Sequence, residues 1–536
     1  MSVSTIENDT KDKGTRSIDN FRWQTLLMWG VVVALVIVAI VMRLYKLDVP
    51  FDRDGYDEGV YWQSLRAMAA GHVLYQDIFY SQPPVFLLST FPGYVLFGST
   101  LWSARLGIAL VSLFGLLGAF LLGKALGRRL GAVIAFLLLI VNPVYLAESQ
   151  TIQAEVSSTA FSLLAVGLAY TWWEQPEGIA GLCWATLTGI AVALGILCKL
   201  LSVSCLVPIV MLMLARTWQS WQKRAGARSI PLVPIVVGIG ACIVTALLFL
   251  LPFLSSYQNL VSTVITLHTK AAAVVFASSQ KGNISLIKDA LISWLSLAAL
   301  FGIAAALLRR DWRVIPLIAW LLVTLYLLWR QVPLFQHHLI ALVPPLIGLA
   351  VIGTGNNLTW KSLTRYSLVS AKSRSVATDK GNQAGSTSIL GTIMSWIALM
   401  LILITVGLAV RQDRQYYRSD AYVATDQQTQ QELRVAADLQ HAITPGQLVI
   451  TDAQFIAGLA DRNTPPSLVD TSTVRITSGY LTLAQLENTA SQPQVHAVLF
   501  YTGRLGAPET APFHEWVAQH FRLVHTYGKG QELWVR

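Results

Sequence analysis

Apolar runs of roughly 18 residues or more recur along this chain, each long enough to cross a hydrocarbon core of about 30 Å as a helix. Inside a bilayer a backbone must satisfy its own N–H and C=O groups, and a helix does so within one segment. The pattern restricts the chain to a helical, multi-pass membrane protein. Composition agrees. Of 536 residues, 54% are hydrophobic and 13% are charged, with a mean hydropathy of +0.54. A soluble domain carries about 25% charged residues.

The net charge of +10 raises the question of a nucleic-acid partner, and its distribution answers it. Residues 411–536 hold 10 Lys and Arg against 12 Asp and Glu, so the excess lies in the first 410 residues, with 29 basic and 17 acidic groups. Those basic groups sit in short loops between apolar runs, as expected of segments held on the cytoplasmic face. No nucleic-acid partner is expected. The four cysteines, Cys183, Cys198, Cys205 and Cys242, fall in apolar runs without metal-ligand spacing and read as small core residues.

Charge also orients the chain. Residues 1–22 form a polar tail with Lys11, Lys13 and Arg16, and Trp23–Val41 is too long for the core of a signal peptide. It reads as a first span with its N-terminus in the cytoplasm. A long aromatic-rich loop follows outside, and with the next segment it makes the external stretch 44–100. Within it Val85–Ser99 is short and interrupted by Pro92-Gly93, which suits an interfacial segment. That choice puts the basic loop Arg216–Arg228 inside. The further spans are then Leu101–Leu122, Leu130–Ala147, Val156–Trp173, Gly178–Leu197, Leu201–Ala215, Leu232–Leu251, Ala290–Leu308, Val314–Trp329 and Leu339–Ile352. Pro252–Lys288 reads as a second external loop, so that 23–355 makes one membrane domain. A Ser- and Thr-rich linker, 356–388, stays cytoplasmic, and 389–410 is the last of about eleven spans.

Residues 411–536 then lie outside as a small α/β domain. Helices are expected over Gln430–Ile443, Thr482–Ala490 and Pro512–His520, and strands over Gln447–Thr451 and Val495–Tyr501, with Arg522–Thr526 pairing with Glu532–Val535. The domain contains no Gly-rich phosphate loop and no nucleophile elbow.

Polar residues that stand out against the apolar runs are the candidates for chemistry. Asp52, Asp54, Asp57 and Glu58 place four carboxylates within seven positions beside the membrane. On composition alone they are a solvated acidic loop. The segment after them, Val60–Ala70, has Tyr61, Leu65 and Met68 at helical spacing and is suited to lie on the membrane surface. A carboxylate at that boundary is partly desolvated, which raises its basicity and fits it for general-base work. The loop returns through Tyr75, Tyr80, Ser81 and Gln82 to Pro83-Pro84. Glu148, Gln150, Gln153 and Glu155 sit at the outer end of two spans, either in water or at membrane depth, where polar groups are costly and mark function. Lys199, alone in an apolar stretch, either snorkels to the interface or binds an anion such as a phosphate. His337-His338 precedes a span. Adjacent histidines supply too few ligands for a metal, and no cofactor is expected.

In this order and topology these residues resemble the type C membrane glycosyltransferases, in the family 39 and aminoarabinose-transferase-like branch. The resemblance rests on Asp57-Glu58 after the first span, the Tyr-rich stretch, Gln82-Pro83-Pro84, Gly98…Ala104-Arg105-Leu106, Asn142-Pro143, Lys199, and His337-His338 before Pro344-Pro345. It spans most of residues 24–355. It implies an all-α polytopic glycosyltransferase fold and transfer of a sugar from a polyprenyl-phosphate donor to an external lipid, glycan or protein acceptor. It further implies that Asp57, with Glu58 beside it, is the catalytic carboxylate. Aminoarabinose transferases have Lys where this chain has Gln82. Arg105, Lys199, His337 and His338 are therefore read with Gln82 as the donor-phosphate side, and Tyr61, Tyr80 and Glu155 as the acceptor side or a second polar site. Two other readings stay open: a polysaccharide polymerase or ligase using a diphosphate lipid, and a lipid or solute carrier gated by the acidic loop.

The charge asymmetry makes a direct prediction. Single cysteines placed before Trp23 or within Lys361–Ser388 will be labelled by an impermeant reagent only after permeabilisation, and cysteines within 411–536 will be labelled in intact cells. The reverse pattern in the tail overturns the orientation.

Overall fold

A computed structural model describes residues 26, 29–49, 56–222, 232–355, 389–417 and 426–536, with 274–279 and 416–417 described by backbone only. The N-terminal tail, Asp52 and Asp54, part of the Arg216–Arg228 loop and the 356–388 linker lie outside the described residues. The chain divides at Tyr45 into two units. The first contains helix α1 (Trp29–Leu44), where the Arg43 guanidinium donates to the Ala39 carbonyl one turn back at 3.2 Å.

The second unit begins with α2 (Asp57–Ala69) and α3 (Val85–Leu96), and continues with α4 (Leu101–Ile140), α5 (Pro143–Glu148), α6 (Ala154–Glu174), α7 (Gly178–Cys198) and α8 (Leu206–Gln222). Next come α9 (Leu232–Leu250), α10 (Tyr257–Val261), α11 (Leu267–Leu291), α12 (Trp294–Leu308), α13 (Val314–Arg330), α14 (Val343–Ile352) and α15 (Ile389–Tyr417). Helix α4 joins two of the expected spans. Gly127 and Arg128 leave helical geometry, with Arg128 at φ 55°, and the chain doubles back so closely that a Cβ on Gly123 would meet the Gly131 carbonyl. The two arms are therefore a helical hairpin, as the charge reading requires.

Among the described residues five helices are long and apolar enough to cross a membrane, or six when Gln280–Leu291 and Trp294–Leu308, bent by 73°, are joined. About eleven crossings result when the hairpin counts twice and α1, α6, α13 and the apolar segment Gln336–Ile352 are added. The chain is thus an all-α multi-pass membrane protein with a small C-terminal sheet domain. Two expectations change in detail. Much of Pro252–Lys288 is helical, since α9 runs on through short helical turns into α10 and α11. Leu200–Cys205 and Gln336–Leu342 are 3-10 turns leading into α8 and α14. Both are polar entries to apolar helices, where a tighter turn is common.

The C-terminal domain contains α16 (Gln427–Ala442), β1 (Leu448–Thr451), α17 (Gln454–Leu459), α18 (Thr473–Thr477), α19 (Leu483–Ala490), β2 (Val495–Phe500), α20 (Pro512–His520), β3 (Arg522–Gly528) and β4 (Gln531–Val535). The sheet order is β1-β2-β4-β3, with β1 and β2 parallel and the other pairs antiparallel. Alternation along β2 sends Val498 and Phe500 into one core with Ile450, Phe513 and Val517, and Ala497 and Leu499 into another with Val435, Leu439 and Ile456. The short helices α17 and α18 escape the sequence pattern because each is too brief to show periodicity.

Helix α2 also differs from expectation. It forms where the spacing of Tyr61, Leu65 and Met68 places a helix, but its residues Glu58 to Leu65 are buried by protein, including the C-terminal domain through α17. Helices α4 and α6 pack through Gly118 and Gly167, where a Cβ at either position would strike the opposite backbone. We expect Gly118→Leu to lower stability by about 1–3 kcal/mol through overpacking, read as a lower unfolding temperature in detergent. Gly240→Leu, at a position with nothing within 4 Å of a built Cβ, will leave it unchanged.

Candidate active site

The N-terminus of α2 carries Asp57 and Glu58 in its first turn, where the helix dipole favours negative charge. The two side chains have different surroundings. Glu58 is fully buried and makes a bidentate pair with Arg105 of α4, each N–H···O distance being 2.7 Å, and it also accepts the Ile152 N–H at 3.0 Å. Arg105 directs its remaining Nη1 donors to the carbonyls of Leu47 at 3.1 Å and Val49 at 2.9 Å. This geometry does not fit the expected roles of Glu58 in catalysis and of Arg105 in phosphate binding. A buried charge needs a partner, and these two are each other's.

Asp57 remains 36% exposed, with Oδ2 4.0 Å from the Nε2 of His337. Behind that imidazole lies Glu155, in the first turn of α6 and almost fully buried. Its Oε1 pairs with the Lys199 ammonium, at the end of α7, and lies 3.5 Å from His337 Nε2 and 3.4 Å from His338 Nε2. The Phe335 N–H donates to His338 Nδ1 at 2.9 Å, so the neutral imidazole carries its proton on Nε2, facing the carboxylate. Lys199 therefore does not snorkel away. Glu155 holds it among the helix ends, and Glu155 Oε2 is buried with no protein hydrogen-bond partner among the described residues.

An aromatic wall stands beside this cluster. Tyr61 packs edge-on against Tyr80 and Phe86, with centroids at 6.3 and 4.9 Å. Burial, reinforced by the charges of Asp57 and Glu155, holds its phenol well above the ordinary tyrosine range, so it stays protonated and is a hydrogen-bond donor at any physiological pH. The Tyr80 hydroxyl is buried without a protein hydrogen-bond partner among the described residues. Tyr75 donates to the Gln82 carbonyl at 2.7 Å, which braces the turn before Pro83-Pro84, and Gln82 itself is half-buried.

The structure thus brings together Asp57, Tyr61, Glu155, Lys199, His337 and His338, and sets Glu58 and Arg105 apart as a structural pair. Sequence reasoning missed His268 of α11, whose Nε2 lies 3.0 Å from the Ser81 carbonyl. A lone histidine in a long helix gives no signal of its own. It also missed that a third ligand joins the adjacent histidines. One ligand atom each from Glu155, His337 and His338 lies within 4.8 Å of the others, a set that suits a metal ion by composition. The same carboxylate oxygen holds the Lys199 ammonium, so a metal there would compete with a cation that the protein already supplies.

Residues 33–267 match the family described as dolichyl-phosphate-mannose-protein mannosyltransferase. No curated protein matches the sequence significantly. Among solved structures the chain is similar to ArnT from Cupriavidus metallidurans in the apo state, with 16% identity and a TM-score of 0.59, covering 94% of this chain and 97% of that one. It is also similar to the same protein bound to undecaprenyl phosphate, with 16% identity, a TM-score of 0.55 and coverage of 94% and 98%. The archaeal oligosaccharyltransferase AglB from Archaeoglobus fulgidus superposes less well, with 13% identity, a TM-score of 0.47 and coverage of 89% and 69%. The chain thus has the type C glycosyltransferase fold of the ArnT structures, and its residues 33–267 match the mannosyltransferase family pattern.

Proposed function

We propose that the chain transfers a sugar from a polyprenyl-phosphate donor to an acceptor on the external face of the membrane, with inversion and with Asp57 as general base. One observation carries this reading. A partly exposed carboxylate, Asp57, stands 4.0 Å from an imidazole whose other neighbours are a buried Glu155–Lys199 pair and a second imidazole. A base open to an acceptor and a cation held at the helix ends are the two groups that such a displacement needs.

In the step, Asp57 takes the proton of an acceptor hydroxyl or amine. The acceptor atom bonds to the anomeric carbon, and the bond from that carbon to the phosphate oxygen breaks. The electron pair stays on the polyprenyl phosphate, which leaves as an anion and needs donors, not protonation. Lys199 has three N–H groups, so its contact with Glu155 leaves others for a phosphate oxygen, and His338 Nε2–H lies within the same cluster. Glu155 keeps the ammonium in place and lowers the cost of burying it. The solved relative that binds undecaprenyl phosphate supports a lipid-linked donor here. Positive charge at Lys199 takes the place of the Lys that aminoarabinose transferases have where this chain has Gln82.

Asp57→Asn should leave insertion and abundance near normal and lower turnover by about 10²-fold or more, the scale of lost general-base assistance. Lys199→Met should lower turnover and weaken binding of the donor lipid together, and wild-type turnover in either variant removes that residue from the mechanism. The donor class is tested with purified protein, a membrane extract as acceptor, and radiolabelled sugar offered as polyprenyl phosphate, polyprenyl diphosphate or nucleotide conjugate. Transfer from the monophosphate alone is expected. Transfer from the diphosphate points to a polymerase or ligase, transfer from the nucleotide overturns the donor class, and movement of intact lipid without transfer points to a carrier.

A further inference from the structure

The long face of α2 is covered by the far end of the chain. A Cβ on Gly59 would meet the backbone nitrogen of Phe455 in α17, and a Cβ on Gly458 of α17 would meet the Trp62 indole. Gly59 thus lets the α17 backbone come into contact with α2, Gly458 makes room for the Trp62 indole, and the Trp62 and Phe455 rings stand 5.7 Å apart. Gln63, 1% exposed, adds three hydrogen bonds across this contact. Its Nε2 donates to the carbonyls of Arg462 at 3.0 Å and Gln454 at 3.4 Å, and its Oε1 accepts the Thr464 N–H at 3.1 Å. At the rim Arg66 donates to Asn463 Oδ1 at 2.6 Å and pairs with Asp461 at 2.7 Å. At the other end the Tyr56 hydroxyl donates to Asp470 Oδ1 at 3.2 Å, under the Arg504 guanidinium at 4.1 Å from its ring.

These contacts grip the helix from both ends of its first two turns, and Asp57 lies between them. Successive residues of a helix are about 100° apart, so a small rotation of α2 would swing the Asp57 carboxylate away from His337. Contacts along the helix resist that rotation. The bidentate Glu58–Arg105 pair anchors one side, and the C-terminal domain is the anchor on the other.

We infer that the C-terminal domain is the positioning element of the Asp57 helix, with Gln63 as the residue that sets its register. The inference rests on the reading of Asp57 as the base. It gives the domain a role in turnover rather than in holding the donor, since none of these contacts involves Lys199, His337 or His338. A misplacement of the base by about 1 Å is worth up to about 10²-fold in rate.

The test is a double-mutant cycle in the full-length protein. Gln63→Met keeps the volume and removes all three hydrogen bonds. Turnover should fall by about tenfold or more while KM for the polyprenyl-phosphate sugar stays within about twofold. In an Asp57→Asn background the same substitution should change residual turnover by less than about twofold, because a residue acting only through Asp57 has nothing left to position. Equal losses in both backgrounds, or wild-type turnover in Gln63→Met, overturn the positioning role while leaving Asp57 as the base. Wild-type turnover in Asp57→Asn overturns the base assignment, and the positioning role with it. Retained donor-lipid binding and unfolding temperature show that the variant is folded. If Gln63→Met does not accumulate, Arg66→Gln at the rim runs the same cycle with a loss of about threefold, on the scale of an exposed ion pair, and no loss there overturns the proposal.

Discussion

The bidentate pair between Glu58 and Arg105 holds the first loop to the membrane helices, and the site is arranged around it. A carboxylate and a guanidinium removed from water cost several kcal/mol each unless the geometry returns that energy. Here two short parallel hydrogen bonds, two backbone carbonyls and the Ile152 N–H return it. Removal of one partner would strand the other in a dry interior, a loss of about 3–5 kcal/mol. Because the pair joins α2 to α4 and to the segment before α6, it orders three chain segments that bring functional side chains to one place. The neighbouring residue, Asp57, keeps 36% of its side chain exposed, while Glu58 is fully enclosed in the pair.

At the same end of the helices the protein concentrates the polar groups that its spans otherwise exclude. Glu155 begins α6, Lys199 ends α7, and His337 and His338 precede α14. Glu155 and Lys199 are 44 residues apart and the histidines lie farther along the chain, and none of these segments by itself would hold its charged group out of water. Together they offset one another. Glu155 lies between an ammonium and two imidazoles, and the aromatic wall of Tyr61, Tyr80 and Phe86 excludes water from one side. Low local dielectric makes each of these interactions stronger than it would be in solvent. The opposite ends of the helices look different. Arg313 donates to the Ala125 carbonyl near the turn of the α4 hairpin, and Arg309 donates to the Ile352 carbonyl at the end of α14. Those arginines cap helix ends.

The C-terminal domain is more than an appendage joined by one helix. Its sheet carries a core on each face, with Asp452 tying β1 to the chain after β2 by accepting the N–H groups of Tyr501 and Thr502. Yet its surface is fitted to α2, to the loop before Pro83-Pro84, where the Arg475 guanidinium lies 3.6 Å over the Phe79 ring, and to the turn between α10 and α11, where Tyr480 meets Ser262. Burial pulls the Arg475 pKa down to about 10, still far above physiological pH, so the cation persists against the ring.

The sequence by itself determined the class of molecule. Apolar runs and basic loops are one-dimensional signals, and they were sufficient for the helical membrane architecture, the α4 hairpin, and most tail elements, Pro512–His520 to the residue. Asp57, Glu155, Lys199 and His337-His338 were legible for a related reason, since a charged or ionisable group beside a long apolar run stands out. Which of them act together was not legible. Asp57 and Glu58 are neighbours of the same charge, and nothing in the chain tells the buried one from the open one until Arg105 is placed beside Glu58. Glu155 and the two histidines make one cluster only when α6 and the turn before α14 are brought together. The support of α2 by Gln454, Arg462 and Thr464 comes from residues some four hundred positions away. Contacts of that kind carry no local periodicity, so only the tertiary structure decided them, by setting which buried polar groups find partners and which stay open to a substrate.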